Sequence, residues 1–195
     1  MRAGQRMAEP ESDNVELVRQ LARGNQAAFH SLYDRYHRPI FRYAWHMSGN
    51  QTTAEEVTQE VFLQLIHRPR RFDPAKGTLA GYLFGIARNL VRRQMATSCL
   101  DVPLDDEQLK DDDALTDDID VLSEVDRQER LELLHKSVLA LPAAYRETLI
   151  LCDLEEMSYP EVAAVLHCPE GTVGSRLHRA RTMLKLRLQS MGCLR

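Results

Sequence analysis

Residues 169–188 read "PEGTVGSRLHRARTMLKLRL", a stretch with six basic side chains counting His178 and no acidic residue after Glu170. Val173, Leu177, Ala180, Leu184, Leu188 and, just beyond, Met191 recur at intervals of three and four. At about 100° per residue that spacing gathers them into one apolar stripe of an α-helix. The opposite side carries Ser175, His178, Arg179 and Thr182, flanked by Arg176, Arg181 and Lys185. One face packs and the other meets anions. A basic amphipathic helix is by itself equally well an ordinary solvated one, so the residues before it decide. "SYPE" (158–161) has the spacing of a capping box, in which Ser158 and Glu161 satisfy each other's amides at a helix start. The helix it opens presents Val162, Ala163, Val165 and Leu166, then breaks at "HCPEG" (167–171), where Pro169 suits the first turn of a new helix. Two helices joined by so short a turn make a helix-turn-helix, whose second helix enters a DNA major groove while basic residues around it contact phosphates.

Two more helices precede this pair. "RQERLELLHKSVLALP" (127–142) places Leu131, Leu134, Val138 and Leu141 on one face and stops at Pro142. "AYRETLILCDLEEM" (144–157) follows with Tyr145, Leu149 and Cys152 or Asp153 at helical intervals. Upstream the composition changes abruptly. Residues 101–126 hold twelve of the chain's 29 acids and one of its 25 bases, Lys110, so the remainder carries 17 acids and 24 bases, a net of +7 against −4 for the whole chain. A block that self-repels, includes Pro103 and has few large apolar residues reads as an extended linker. It lacks the central glycine and ligand spacing of a calcium-binding EF-hand loop.

The N-terminal part is also helical. "VELVRQLARGN" (15–25) is a short helix closed by Gly24. In "QAAFHSLYDRYHRPIFRYAWHMSGN" (26–50), Phe29, Leu32, Tyr33, Tyr36, Ile40, Tyr43, Ala44 and Met47 form a helical stripe that reads as core, with Pro39 as a kink. "TTAEEVTQEVFLQLIH" (52–67) has Thr52 or Thr53 as its cap and Glu55 and Glu56 in its first turn. It sets Glu56, Gln59, Glu60 and Gln64 around an apolar stripe of Val57, Val61, Leu65 and, one step off, Phe62. A basic loop with an aromatic, "RPRRFDPAKGT" (68–78), leads into the helix "LAGYLFGIARNLVRRQMA" (79–96). The fold expected is therefore all-α: a helical domain over 13–98, an acidic linker over 99–126, and a second domain over 127–192 containing the helix-turn-helix.

No apolar run approaches a membrane span, and the first fourteen residues lack the apolar centre of a secretory signal, so a cytoplasmic protein with no membrane insertion of its own is expected. Cys99, Cys152, Cys168 and Cys193 have no CxxC spacing and read as reduced thiols; a zinc site from Cys152, His167, Cys168 and Cys193 would lack the usual tight ligand pair. No Walker loop, HExxH or nucleophile elbow is present, so neither catalytic residues, metal nor cofactor are expected.

The stretch "LPAAYRETLILCDLEEMSYPEVAAVLHCPEGTVGSRLHRARTML" (141–184) resembles the C-terminal promoter-binding region of extracytoplasmic-function sigma factors, and the resemblance extends over about 15–188 apart from the linker. In that family the helix here spelled "GTVGSRLHRAR" reads the minus-thirty-five promoter element, which implies DNA contacts from Thr172, Ser175, Arg176, His178, Arg179 and Thr182. Gly174 departs from the pattern, standing where Lys or Arg is common. "AEEVTQEVF" (54–62) is similar to the segment that docks on the clamp coiled coil of RNA polymerase, implying core binding by Glu56, Gln59, Glu60 and Phe62. "RFDPAKGTLAGYLFGIARN" (71–89) resembles the part that captures the unstacked non-template strand at the minus-ten element. That implies a loop of Arg71, Phe72, Asp73, Lys76 and Gly77 beside a helix surface of Tyr82, Arg88, Asn89, Arg92 and Arg93. Tyr82 stands where Trp is frequent, and "QMATSCLD" (94–101) replaces the usual basic continuation, so fewer duplex contacts are expected there.

The resemblance implies an alternative sigma factor that binds RNA polymerase core, directs initiation at its promoter DNA and is held in check by an anti-sigma factor. Capturing bases exposed by melting stabilises the open duplex, a use of binding energy akin to base flipping. The acidic linker either follows a basic channel of the polymerase or is simply solvated. An autonomous helix-turn-helix regulator would leave the polymerase-docking segment and the single-strand loop without a role.

Overall fold

The computed structural model describes residues 11–98 and 131–190; the expected acidic linker and Met191 lie outside the described residues. Among the described residues every regular element is helical. The N-terminal unit consists of α1 (Glu11–Leu21), α2 (Gln26–Ser48), α3 (Gln51–His67) and α4 (Leu79–Ser98), with two short 3₁₀ turns, Pro69–Arg71 and Pro74–Lys76, between the last two. The C-terminal unit consists of α5 (131–139), α6 (Ala143–Leu149) continued by a π-turn (Ile150–Leu154), α7 (Tyr159–Leu166) and α8 (Glu170–Ser190).

The punctuation has local causes. Gly24, at φ +83°, follows α1, and the Asn25 side chain accepts from the Ala27 amide to start α2. α2 runs through Pro39 and ends at Gly49, which adopts a left-handed φ of 71° and donates its N–H to the Trp45 carbonyl at 2.7 Å. The next residue, Asn50, is the N-cap of α3, its side chain accepting from the Thr53 amide at 2.9 Å. This corrects the expectation of a Thr52 or Thr53 cap: the glycine turns the chain so tightly that only Gly49 and Asn50 separate the two helices, and both threonines fall inside the first turn.

The core of the N-terminal unit is the α2 stripe, with Leu32, Tyr36, Ile40, Tyr43, Ala44 and Met47 buried, packed on Val57, Val61 and Leu65 of α3 and Leu83, Phe84 and Ala87 of α4. Tyr33, with 38% of its surface exposed, and the half-buried Phe29 are the exceptions. In the C-terminal unit Val173, Leu177 and Ala180 are buried against α6 and α7, whereas Leu184 and Leu188 are half-buried. Only the first half of the expected α8 stripe is therefore core, because the last turns run past the helices they would pack on.

The two units share one continuous core. Arg42 of α2 grips the buried Glu155 with two hydrogen bonds, 2.8 and 2.7 Å, and donates to the Leu154 carbonyl. Arg146 of α6 donates to the Met47 carbonyl at 2.7 Å, occupying the C-terminal end of α2. Trp45 stacks on His135 of α5 with ring centroids 3.7 Å apart, and the Nδ1 atoms of His46 and His135 lie 3.0 Å apart. At the other edge the Thr78 hydroxyl donates to Glu161 of α7 at 2.9 Å.

Candidate nucleic-acid and polymerase interfaces

The candidate recognition helix is built as its sequence requires. Ser158 opens α7 with the Glu161 carboxylate reaching back to its amide at 3.0 Å and its hydroxyl at 2.6 Å. Burial raises the Glu161 pKa, but hydrogen bonds from Ser158 and Thr78 outweigh it and leave the carboxyl below its ordinary value. His167 ends α7 in a left-handed conformation (φ 53°), and α8 begins three residues later. On α8, Ser175, His178, Arg179 and Thr182 are all exposed and occupy one face, at offsets of zero, three, four and seven. Thr172 and Arg176 are half-buried beside them. Arg176 leans towards the Cys168 sulfur, 4.0 Å away, and Arg179 lies 3.5 Å from the Tyr145 hydroxyl. Arg181 is turned aside and clamps Asp153 with bonds of 2.9 and 2.5 Å, so it braces α8 on the π-turn. Gly174 has an open flank, where an added Cβ would meet only Tyr159 at 3.7 Å.

The basic loop is held by its own residues. Phe72 is buried and its ring lies 5.7 Å from that of Tyr82, while Asp73 caps the second 3₁₀ turn by accepting from the Ala75 amide and pairs with Lys76 at 3.6 Å. Gly77 turns the chain at φ 148° with nothing within 4 Å of an added Cβ. Partial burial raises the Tyr82 pKa, Arg71 opposing it. Arg71, Tyr82, Asn89 and Arg93 line a cleft of about 540 Å³, with Gln64 and Ile86. A second recess of about 550 Å³ runs from Phe72 and Gly77 to Pro160 and Val165 of α7, so the C-terminal unit walls one side of the loop.

Arg88 and Arg92, one turn apart, lie on a different face of α4. The Arg88 Nε donates to Glu147 of α6 at 2.9 Å in a nearly dry pair, the two side chains 12% and 9% exposed. Glu147 also accepts from the fully buried Tyr43 hydroxyl at 2.9 Å; burial and the Glu147 charge hold that phenol well above its ordinary pKa. The ten residues expected at the minus-ten element are thus divided: Arg71, Tyr82, Asn89 and Arg93 line the open cleft, Phe72, Asp73, Lys76 and Gly77 line the recess walled by α7, Arg88 is held in the contact between the units, and Arg92 is exposed.

The four α3 residues also divide. Gln59 borders, and Phe62 floors, a groove of about 490 Å³ between α2 and α3, where Phe62 packs on Tyr33 at 4.8 Å and edge-on to Phe29 at 6.2 Å. Glu56 turns the other way to accept from Gln94 of α4, and Glu60 accepts from Gln64. Tyr33, Leu63 and Ile66 are exposed on the groove. Sequence reasoning passed over Leu63 and Ile66, although each falls off the buried stripe of α3 and is too apolar for a solvated face.

Residues 32–98 match the family model for sigma-70 region 2, and residues 131–184 match that for sigma-70 region 4. The RNA polymerase sigma-H factor of Pseudomonas aeruginosa is 30% identical over 189 residues, covering 93% of this chain and 96% of that protein. The chain belongs to the extracytoplasmic-function family of RNA polymerase sigma factors. The sigma factor is also 34% identical over 173 residues to the ECF RNA polymerase sigma factor SigE of Mycolicibacterium smegmatis, covering 84% of its own length and 64% of SigE. Its fold matches, with a TM-score of 0.66 and 24% identity, the sigma factor RpoE of Bartonella quintana, solved in complex with the anti-sigma factor NepR, over 83% of this chain and 96% of that one. In this sigma factor region 2 spans α2–α4 and region 4 spans α5 to α8. Among the described residues no helix is long and apolar enough to cross a membrane, and no cluster of three or more His, Cys, Asp or Glu could hold a metal.

Proposed function

We propose that the two regions divide the work of an alternative sigma factor between them, with region 4 reading the upstream promoter element and region 2 binding RNA polymerase core and holding the melted strand. The observation that carries this reading is the exposed face of α8. Ser175, His178, Arg179 and Thr182 are all exposed on one face of a helix that follows a capped partner helix across a short turn, the arrangement major-groove readout requires, and only Arg179 touches another helix, at the Tyr145 hydroxyl. The cleft of Arg71, Tyr82, Asn89 and Arg93 pairs a ring with cations, the combination that binds a single strand. The α2–α3 groove, with Gln59 and Phe62 beside exposed Tyr33, Leu63 and Ile66, is the apolar surface for core polymerase. Such a protein carries no catalytic residue, needs no cofactor, works in the cytoplasm and is held by an anti-sigma factor until needed.

The test is transcription. Core polymerase is incubated with the protein and genomic DNA, and the 5′ ends of the transcripts are sequenced. Initiation from a small set of sites sharing an upstream element is expected, and no gain over core alone would end the proposal. Arg179→Ala should weaken binding to that upstream element while core affinity stays unchanged; a loss of core binding would remove Arg179 from the DNA surface.

A further inference from the structure

Region 4 docks on region 2 through carboxylates that meet basic or hydroxyl groups from the other side: Glu155 on Arg42, Glu147 on Arg88 and Tyr43, Glu161 on Thr78. The middle contact engages Arg88, one of the residues assigned above to the minus-ten strand. A carboxylate and a phosphate present the same chemistry to a guanidinium, an anionic oxygen accepting its N–H groups. One nitrogen of Arg88 is already bonded, and the pair is closed off from water on both sides. The same docking sets α7 against the basic loop, so Pro160 and Val165 wall the recess beside Phe72 and Gly77.

We propose that region 4 is an intramolecular competitor of promoter DNA, with Glu147 occupying Arg88 in place of a strand phosphate, so that the docked chain cannot hold the minus-ten strand and the strand-holding chain cannot dock. The inference rests on the assignment of Arg88 to DNA. The carboxylates act together as an acidic surface covering a basic one. The affinity of the free chain for single-stranded DNA is then reduced by the fraction of molecules that are undocked.

Two variants of the full chain test this from opposite directions of charge. Glu147→Gln removes the phosphate-like charge but keeps an acceptor for Tyr43. Arg42→Glu faces Glu155 with a like charge from a half-exposed helix position that belongs to neither DNA surface. Each is measured for radius of gyration by small-angle scattering, for helix content by circular dichroism, and for affinity to a labelled single-stranded DNA 20-mer of mixed sequence. Both variants should expand with unchanged helix content and bind the 20-mer at least fivefold more tightly. The gain in Arg42→Glu is the decisive one, because an added negative charge by itself weakens DNA binding. Expansion without a gain, or no expansion in either variant, overturns the proposal. Arg88→Ala placed in the Arg42→Glu background examines the underlying assignment separately: it should bring the gained affinity back down by at least fivefold. If that affinity is untouched, Arg88 is not a strand contact and the assignment fails, whatever the docking does.

Discussion

Gly174 sits in the fifth position of α8, the helix proposed to read DNA, and its replacement yields two separable numbers. Its φ is not left-handed and an added Cβ would meet only the Tyr159 ring edge at 3.7 Å, an ordinary van der Waals distance. Nothing therefore opposes the gain in helix propensity, about 1 kcal/mol for Gly→Ala in a helix interior. Gly174→Ala should raise the melting temperature by roughly 2–4 °C for a chain of this size. Lys has nearly the propensity of Ala, so Gly174→Lys should stabilise similarly. It also adds a cation one turn before His178 on the same face.

If that face lies along duplex DNA, the lysine neutralises one further phosphate. The slope of log affinity against log salt then steepens by about 0.9, which is roughly a three- to fourfold larger loss of affinity between 50 and 200 mM salt. Titrating a duplex carrying the upstream element with wild type, Gly174→Ala and Gly174→Lys at four salt concentrations isolates the charge, because the two variants share the backbone gain. Equal slopes for the two variants would place position 174 away from the phosphates and refute the orientation of α8 argued here. A lower melting temperature for Gly174→Ala would refute the claim that the glycine serves no conformational need.

Gly49→Ala forces a Cβ into a left-handed residue at about 1–2 kcal/mol and brings it within 3.0 Å of the Leu139 side chain, so the urea midpoint should fall correspondingly. An unchanged midpoint would show that α2 can end without its left-handed cap. Burial lowers the pKa of His46 from 6.5 to about 4, with His135 and Arg42 adding to the effect. The unfolded chain therefore takes up a proton before the folded one, and stability falls as the pH drops from about 6.5 towards 4, by up to roughly 3 kcal/mol. Urea unfolding at pH 7 and pH 5 should show about 2 kcal/mol of that loss in wild type and a smaller one in His46→Gln.

What the sequence disclosed and what it withheld separate by range. The capping box at Ser158, the break at Gly24, the buried stripe of α2 and the exposed face of α8 all depend on residues within a few positions of one another, and local periodicity reports them faithfully. The one misplaced cap, Asn50, had its signal in the Gly49–Asn50 pair; hydroxyl side chains two and three residues later merely competed for the role. The division of the minus-ten residues was invisible. Arg88 and Glu147 are 59 positions apart, and nothing near either one announces the other. Arg181 was hidden in the same way: as one base in a basic helix it looked like a phosphate contact, and only its bidentate bond to Asp153 shows it bracing the fold.

The docked arrangement treats the two DNA surfaces unequally, and that asymmetry makes a demand on the order of events. Ser175, His178, Arg179 and Thr182 are exposed while region 4 is docked, whereas Arg88 is not. A docked chain can therefore meet duplex DNA with α8 but has to release region 4 from region 2 before Arg88 reaches the melted strand. Undocking by Arg42→Glu should then improve single-strand binding several-fold while leaving affinity for an upstream-element duplex within about twofold of wild type, since Arg42 bonds to Glu155 and Leu154 and to none of the four exposed α8 residues, and its charge is screened by salt. Comparing the two probes on the same protein at 150 mM salt decides the matter. A parallel gain for both would mean that docking restrains α8 as well, and the upstream contact could not precede release.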